Sequence, residues 1–157
     1  MSEETKDALQ IKIVCKDLKY LPVYATINDF CMDLKARMLQ EDTKQITIEP
    51  NNYVVVGTGI QVAIPVDYGM ICTPRSSTGI KLHCELENTL GIIDAGYRDE
   101  IKLVIRNKGT EAVTIEDGQR IAQMVVIKRP VINWELVEDD EKFRKGDRGG
   151  GFGSTGV

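Results

Sequence analysis

The sequence predicts an all-β domain, a sandwich or barrel, and three observations carry that prediction. Short apolar, β-branched runs recur along the chain. Turn signals separate them about every ten residues. Strands do not alternate with helical stretches as they would in a parallel βαβ sheet. The length, 157 residues, is that of one domain or one domain plus a short tail. A chain of this size buries about 70% of its unfolded surface, so it needs neither a disulfide nor a metal to fold.

The elements follow in chain order. Ile11–Cys15 is apolar and β-branched, and Gln45–Glu49 alternates as QITIE. Tyr53–Val56 and Ile60–Ile64 flank Gly57 and Gly59. PVDYG at Pro65–Gly69 reads as a tight turn before Met70–Thr73. Ile101–Ile105 is a further strand. Ala112–Ile115 runs into Glu116-Asp117-Gly118, a hairpin signal. Arg120–Ile127 is a long apolar strand, ended by Pro130. Ile27–Glu41 reads two ways: an amphipathic helix by residue type, or a strand and turn in its first half.

Charge and composition exclude several classes. Twenty Lys and Arg against 24 Asp and Glu leave a net charge of −4. A general nucleic-acid binder is therefore not expected, although a local cluster can still hold a small anion. No apolar run approaches the ~20 residues that span a bilayer. MSEETKDALQ at the start has no apolar signal core. Four cysteines, at 15, 31, 72 and 84, form no CxxC pair, so a reduced, cytoplasmic protein without membrane attachment is expected. His83 is the only histidine, which leaves little scope for a His-based zinc site or a Ser-His-Asp triad.

Four segments and the C-terminal tail can carry chemistry. None is a common nucleotide loop: Gly57-Thr58-Gly59 opens like GxGxxG, but Val62 stands at the third glycine, and no GxxxxGK[ST] is present. Pro74-Arg75-Ser76-Ser77-Thr78-Gly79 follows a strand and groups an Arg, hydroxyls and a glycine. It reads equally as an anion cradle or as a polar turn. In Gly91–Tyr97, Asp94 is placed to act as a general base on water, and Tyr97 to pack flat under a sugar. The other reading is an Asp-mediated turn with a core tyrosine. In Gln119–Met124, strand alternation points Arg120, Ala122 and Met124 one way and Ile121 and Gln123 the other. Gln123 among apolar residues invites a polar partner. Asp33 reads as a metal ligand through water or as a turn carboxylate.

The last stretch, GDRGGGFGSTGV, is half glycine. It cannot build a core and reads as a flexible arm that orders over a ligand. Arg148 offers a fork to phosphate, Phe152 a flat face to a base, and the glycines their N–H groups to an anion.

Together these segments resemble the trimeric dUTP pyrophosphatase (dUTPase) family, whose five motifs recur here in order. The first, A-G-x-D-L-x-A, is matched by Phe30–Ala36 around Asp33-Leu34, without its Ala-Gly. This match favours strand and turn over helix there. The second is matched by Pro74–Gly79. The third, G-x-I-D-x-x-Y-x-G-E, is matched by Gly91–Glu100, with Asp99 in place of its last glycine. The fourth is matched by Gly118–Gln123. The fifth is matched by Arg148–Gly156, with a shorter Arg-to-Phe spacing than usual.

The resemblance implies a dUTPase-like jelly-roll or β-clip barrel over residues 1–140. It implies that the glycine-rich C-terminal arm, 141–157, closes a neighbouring subunit's site in a homotrimer. The implied reaction is dUTP + H2O → dUMP + diphosphate, removing dUTP and supplying dUMP for thymidylate synthesis. Asp94 is then the base for water attacking the α-phosphorus, and it also bonds the deoxyribose 3′-hydroxyl. Tyr97 rejects a 2′-hydroxyl, and Asn88 reads uracil. Ser76 and Gln123 hold the α-phosphate region, with Arg75, Ser77 and Gly79 in the same loop set. Arg148, Gly153, Ser154 and Thr155 take the outer phosphates, and Phe152 stacks on the base. Mg2+ is the expected cofactor, with Asp33 on its waters. Two alternatives stand beside this: a dCTP deaminase-like enzyme of the same fold, and a non-catalytic nucleotide sensor. The deaminase reading needs a Glu in Ile101–Ile105, and there is none.

Overall fold

A computed structural model describes residues 8–139, 141 and 143–146. Eleven short strands build it: β1 Lys12–Cys15, β2 Met32–Lys35, β3 Gln45–Ile48, β4 Tyr53–Gly57, β5 Ile60–Ala63, β6 Tyr68–Pro74, β7 Cys84–Leu86, β8 Gly91–Ile93, β9 Lys102–Asn107, β10 Val113–Glu116 and β11 Arg120–Lys128. One helical turn, α1, spans Ser76–Ile80. A four-stranded sheet runs β2-β11-β6-β8 and a three-stranded sheet β4-β9-β7. The pairs β1-β5 and β10-β3 complete a jelly-roll of the β-clip type, in which every strand pairing is antiparallel. No helix among the described residues is long and apolar enough to cross a membrane.

Period-two burial holds the layers together. Along β9, Leu103, Ile105 and Asn107 point inward while Lys102, Val104 and Arg106 are less buried. Leu34, Ile48, Ile60, Met70, Leu86, Ile101, Ile115 and Ile121 pack the same core at 0–1% exposure. The core is aliphatic, as closely layered small sheets require. Of the three buried polar side chains, Thr58, Thr78 and Asn107, Asn107 is the largest and is satisfied: its amide donates to the Ile48 and Glu111 carbonyls, and its Oδ1 accepts from Gly109 N–H.

The structure corrects two expectations. Glu116-Asp117-Gly118 does turn, with Gly118 at φ +81°, but it does not make a hairpin. β10 pairs with β3 and β11 with β2 and β6, so the turn is a corner between sheets. Its geometry is held from outside. Asp117 accepts from Lys19 Nζ at 2.6 Å, Tyr20 Oη at 2.8 Å and Met38 N at 3.1 Å. Burial pushes the Asp117 carboxyl up, but these donors outweigh it and hold it below the usual range. The strict alternation along β11 also fails at its start. A register shift between Arg120 and Ala122 buries both Ile121 and Ala122. Ile27–Glu41 forms no helix; its only strand is Met32–Lys35.

Gly59 is one place where the fold demands glycine. It sits at φ +73°, and a Cβ there would lie 2.6 Å from the Tyr20 ring. Gly59→Ala adds left-handed strain to a clash with a buried ring. It should cost about 3 kcal/mol and lower Tm by roughly 10 °C. A thermal melt within about 2 °C of the unaltered chain would contradict this packing.

Candidate active site

Three strands bring the polar residues of motifs one, two and four together. β11 lies between β2 and β6, so Gln123 sits opposite Asp33 on one side and Thr73 on the other. β6 ends at Pro74, and Arg75 leads into α1. Thr78 anchors this turn: it is buried and donates to the Ile121 carbonyl at 2.8 Å. Ser76 and Gly79 are left exposed on the outer side, and nothing lies within 4 Å of where a Gly79 Cβ would be.

Asp33 organises the cations. Its Oδ1 lies 2.7 Å from Arg75 Nε in an ion pair and its Oδ2 accepts from Arg120 Nη1 at 3.1 Å, with the carboxylate side chain 15% exposed. Arg75 also donates to Ser77 Oγ at 3.3 Å. Beside them is a cleft of about 280 Å³ lined by Arg75, Ser77, Thr78, Lys81, Gln119 and Arg120. Three cations against one carboxylate make this a positive spot on an acidic chain, which suits a polyanion. The sequence reading gave Lys81 and Arg120 no role. Arg120 belongs to the fourth motif, so its position was visible, whereas its partner Asp33 is 87 residues away in the chain.

A smaller slot of about 90 Å³ opens between β6, β7, β8 and β9. Asn88, Gly91, Lys102 and the buried Cys72 are among its walls. Burial pushes the Cys72 thiol up to about 12, so the slot presents a neutral S–H. Asn88 lies in a tight connection, with Thr89 at φ +62° and Thr89 N–H donating to the Leu86 carbonyl. This connection joins strands of different sheets, since β7 pairs with β9 and β8 with β6.

Asp94 follows β8 directly and is exposed. Tyr97 N–H donates to the Asp94 carbonyl at 3.0 Å, and Tyr97 Oη donates to the Glu100 carbonyl at 3.0 Å. The ladder pairs Ile93 with Met70 and Gly91 with Cys72. Asp94 therefore lies at the Gly69 end of β6, and Arg75 beyond its Pro74 end. Six residue steps at about 3.3 Å place them roughly 20 Å apart in one chain. Arg148, Phe152, Gly153, Ser154 and Thr155 lie outside the described residues.

Among the described residues no cluster of three or more His, Cys, Asp or Glu side chains is placed to hold a metal ion. Both Asp33 oxygens face guanidinium groups. The donor set therefore fits an ion carried mostly by ligand oxygens and water rather than a protein cage.

The fold and these clefts define a β-barrel with a cationic cleft suited to a polyanionic ligand. The dUTPase family model matches residues 33–156. A deoxyuridine 5'-triphosphate nucleotidohydrolase of Ehrlichia canis is 42% identical over 141 residues, covering 87% of each chain. Another, from Finegoldia magna, is 38% identical over 148 residues, covering 94% of this chain and 99% of the relative. This chain belongs to the dUTPase family. Its fold is also that of a Staphylococcus bacteriophage 80alpha dUTPase solved with dUpNHpp. That likeness has a TM-score of 0.79 and 24% identity, covering 96% of this chain and all of the other.

Proposed function

We propose that this chain hydrolyses dUTP to dUMP and diphosphate at sites shared between copies of the chain. The separation of Asp94 from the Arg75 loop carries the second half of that reading. Two groups whose backbones stand roughly 20 Å apart, at opposite ends of β6, cannot act on the same phosphorus, since reacting atoms must approach to about 3–3.5 Å. A neighbouring copy that sets its Asp94 loop against the Arg75 cleft removes the difficulty. A closed homotrimer gives every chain one such neighbour on each side.

Within such a site, Asp94 accepts a proton from water as the water oxygen bonds the α-phosphorus. The bond from that phosphorus to the bridging oxygen breaks, and diphosphate leaves. Tyr97 packs under the deoxyribose where a 2′-hydroxyl would clash. Asn88 and the main chain of its connection read the uracil edge within the small slot. Ser76 and Gln123 hold the α-phosphate region, with Arg75, Ser77 and Gly79 around it. The arm, 141–157, closes the site, with Arg148, Gly153, Ser154 and Thr155 on the outer phosphates and Phe152 on the base.

Mg2+, when bound, neutralises phosphate charge and aligns the chain for in-line displacement. Asp33, the carboxylate beside this cleft, would hold its waters through whatever acceptor capacity its two arginine contacts leave. A dUTPase of phage phi11 of S. aureus has been described with a structural Mg(II) ion. We place the reaction in the cytoplasm, which suits four unpaired cysteines.

The test is diphosphate release with Mg2+ from dUTP, dCTP, dTTP and UTP, with ammonia assayed alongside. Release from dUTP alone is the expected result. Ammonia from dCTP would move the chain to deaminase chemistry, which the absence of a carboxylate from β9 argues against. Binding of dUTP without release would make it a nucleotide sensor.

A further inference from the structure

The loop carrying Asp94 is held at one end by the β8 ladder. Its other end is held by an ion pair between Glu100, the last residue of the third motif, and Arg37, which lies outside the motifs. Arg37 grips Glu100 with both arms of its fork, Nε to Oε1 at 2.7 Å and Nη2 to Oε2 at 2.6 Å. Its third nitrogen, Nη1, donates to the Met38 carbonyl at 2.9 Å. Glu100 Oε1 also accepts from Gly59 N–H at 2.8 Å. The pair is 18% and 12% exposed, and the backbone makes room for it. A Cβ on Gly57 would lie 2.4 Å from Glu100 Oε1, while Gly57 and Arg37 exchange backbone hydrogen bonds at 2.8 and 2.9 Å. Burial pushes the Glu100 carboxyl up, but the Arg37 and Gly59 donors hold it below the usual range. Glu100 is thus a fixed anion.

The fixed point is connected to the loop. The main-chain carbonyl of Glu100 accepts from Tyr97 Oη, and Tyr97 N–H closes the turn on Asp94. The next residue, Ile101, is fully buried, donates to Ile60 and accepts from Thr58 N–H and Oγ1. The intervening residues Gly96–Asp99 are exposed and have little packing of their own to set their position.

From this geometry we infer that Arg37 and Glu100 are positioning residues that aim Asp94 and Tyr97 at the nucleotide. The inference rests on Asp94 being the base. The pair touches no substrate; it acts by fixing the carbonyl to which Tyr97 is tied. Misplacing a reacting group by about 1 Å costs up to about 100-fold in rate, so loosening one anchor should be felt in turnover before it is felt in binding.

The test uses the full chain with Glu100→Gln, which keeps size but loses the charge, and Arg37→Lys, which keeps charge but loses the fork. The account expects kcat for dUTP to fall about tenfold in each, with Kd for dUpNHpp within about twofold of the unaltered chain. Amide exchange at Tyr97 should quicken while β9 keeps its protection. Unchanged kcat in folded variants would overturn the inference. So would a loss of kcat that appears only with faster exchange throughout the barrel, because the pair would then be structural. Asp94→Asn in the same assay separates the two levels. If that variant keeps full turnover, the reading of the base fails; if it is inactive while Glu100→Gln is normal, only the positioning role fails.

Discussion

Asp94→Asn is expected to bind dUpNHpp as the unaltered chain does and to turn dUTP over about 1000-fold more slowly. The substitution preserves shape and leaves the turn intact, since Tyr97 is bonded to the main-chain carbonyl of residue 94 and not to its side chain. An amide can still accept a hydrogen bond from a sugar hydroxyl, so affinity survives. It cannot take the proton of an attacking water, so the chemical step fails. Single-turnover kinetics with Kd measured in parallel distinguishes this from a binding defect. A kcat within about tenfold of the unaltered chain would remove Asp94 as the base.

Arg75→Ala is expected to fail in the opposite way. Arg75 is the better buried of the two arginines on Asp33, and its fork faces the positive cleft at the end of β6. On the proposed reading, removing it deletes a charge-assisted contact to phosphate, and it leaves Asp33 with Arg120 alone. The expected loss is about 100-fold in kcat/KM, with weaker nucleotide binding contributing a large part of it. Arg75→Lys should recover only part of the loss, because a point charge cannot reproduce a two-armed contact. Normal affinity for dUpNHpp in Arg75→Ala would place the phosphates elsewhere.

Much of the barrel was legible because its strands are short, β-branched and separated by Gly, Pro and Asp. QITIE became β3, and the run from Arg120 became β11 to within a residue. The errors have physical causes. Asp117-Gly118 carries a hairpin signal, yet long-range donors from Lys19, Tyr20 and Met38 turn it into a corner. The bulge at the start of β11 needs only one extra residue, and no periodicity announces it. β7 and β8 have three residues each, too few for alternation to register. The motif residues Asp33, Arg75 and Gln123 could be identified from local spacing, and the fold gathers them across β2, β6 and β11. What spacing cannot show is a partner far along the chain. Arg37 and Glu100 are 63 residues apart; Glu100 closes the third motif, but nothing in that motif names Arg37 as its partner. Nor could spacing show that Asp94 and Arg75 sit at opposite ends of one strand, which depends on the register of β6 with β8.

That register makes the sharing of the site between chains the central claim, and subunit mixing tests it most directly. Asp94→Asn and Arg75→Ala chains, each nearly inactive alone, would be unfolded together, refolded and assayed for dUTP hydrolysis. If each site takes Asp94 from one copy and Arg75 from another, random assembly of equal amounts restores about a quarter of the sites. Activity should rise to that level while either variant refolded alone stays inactive. If both residues serve the same site within one chain, no mixture contains an intact site. A mixed sample no more active than its components would then contradict the account.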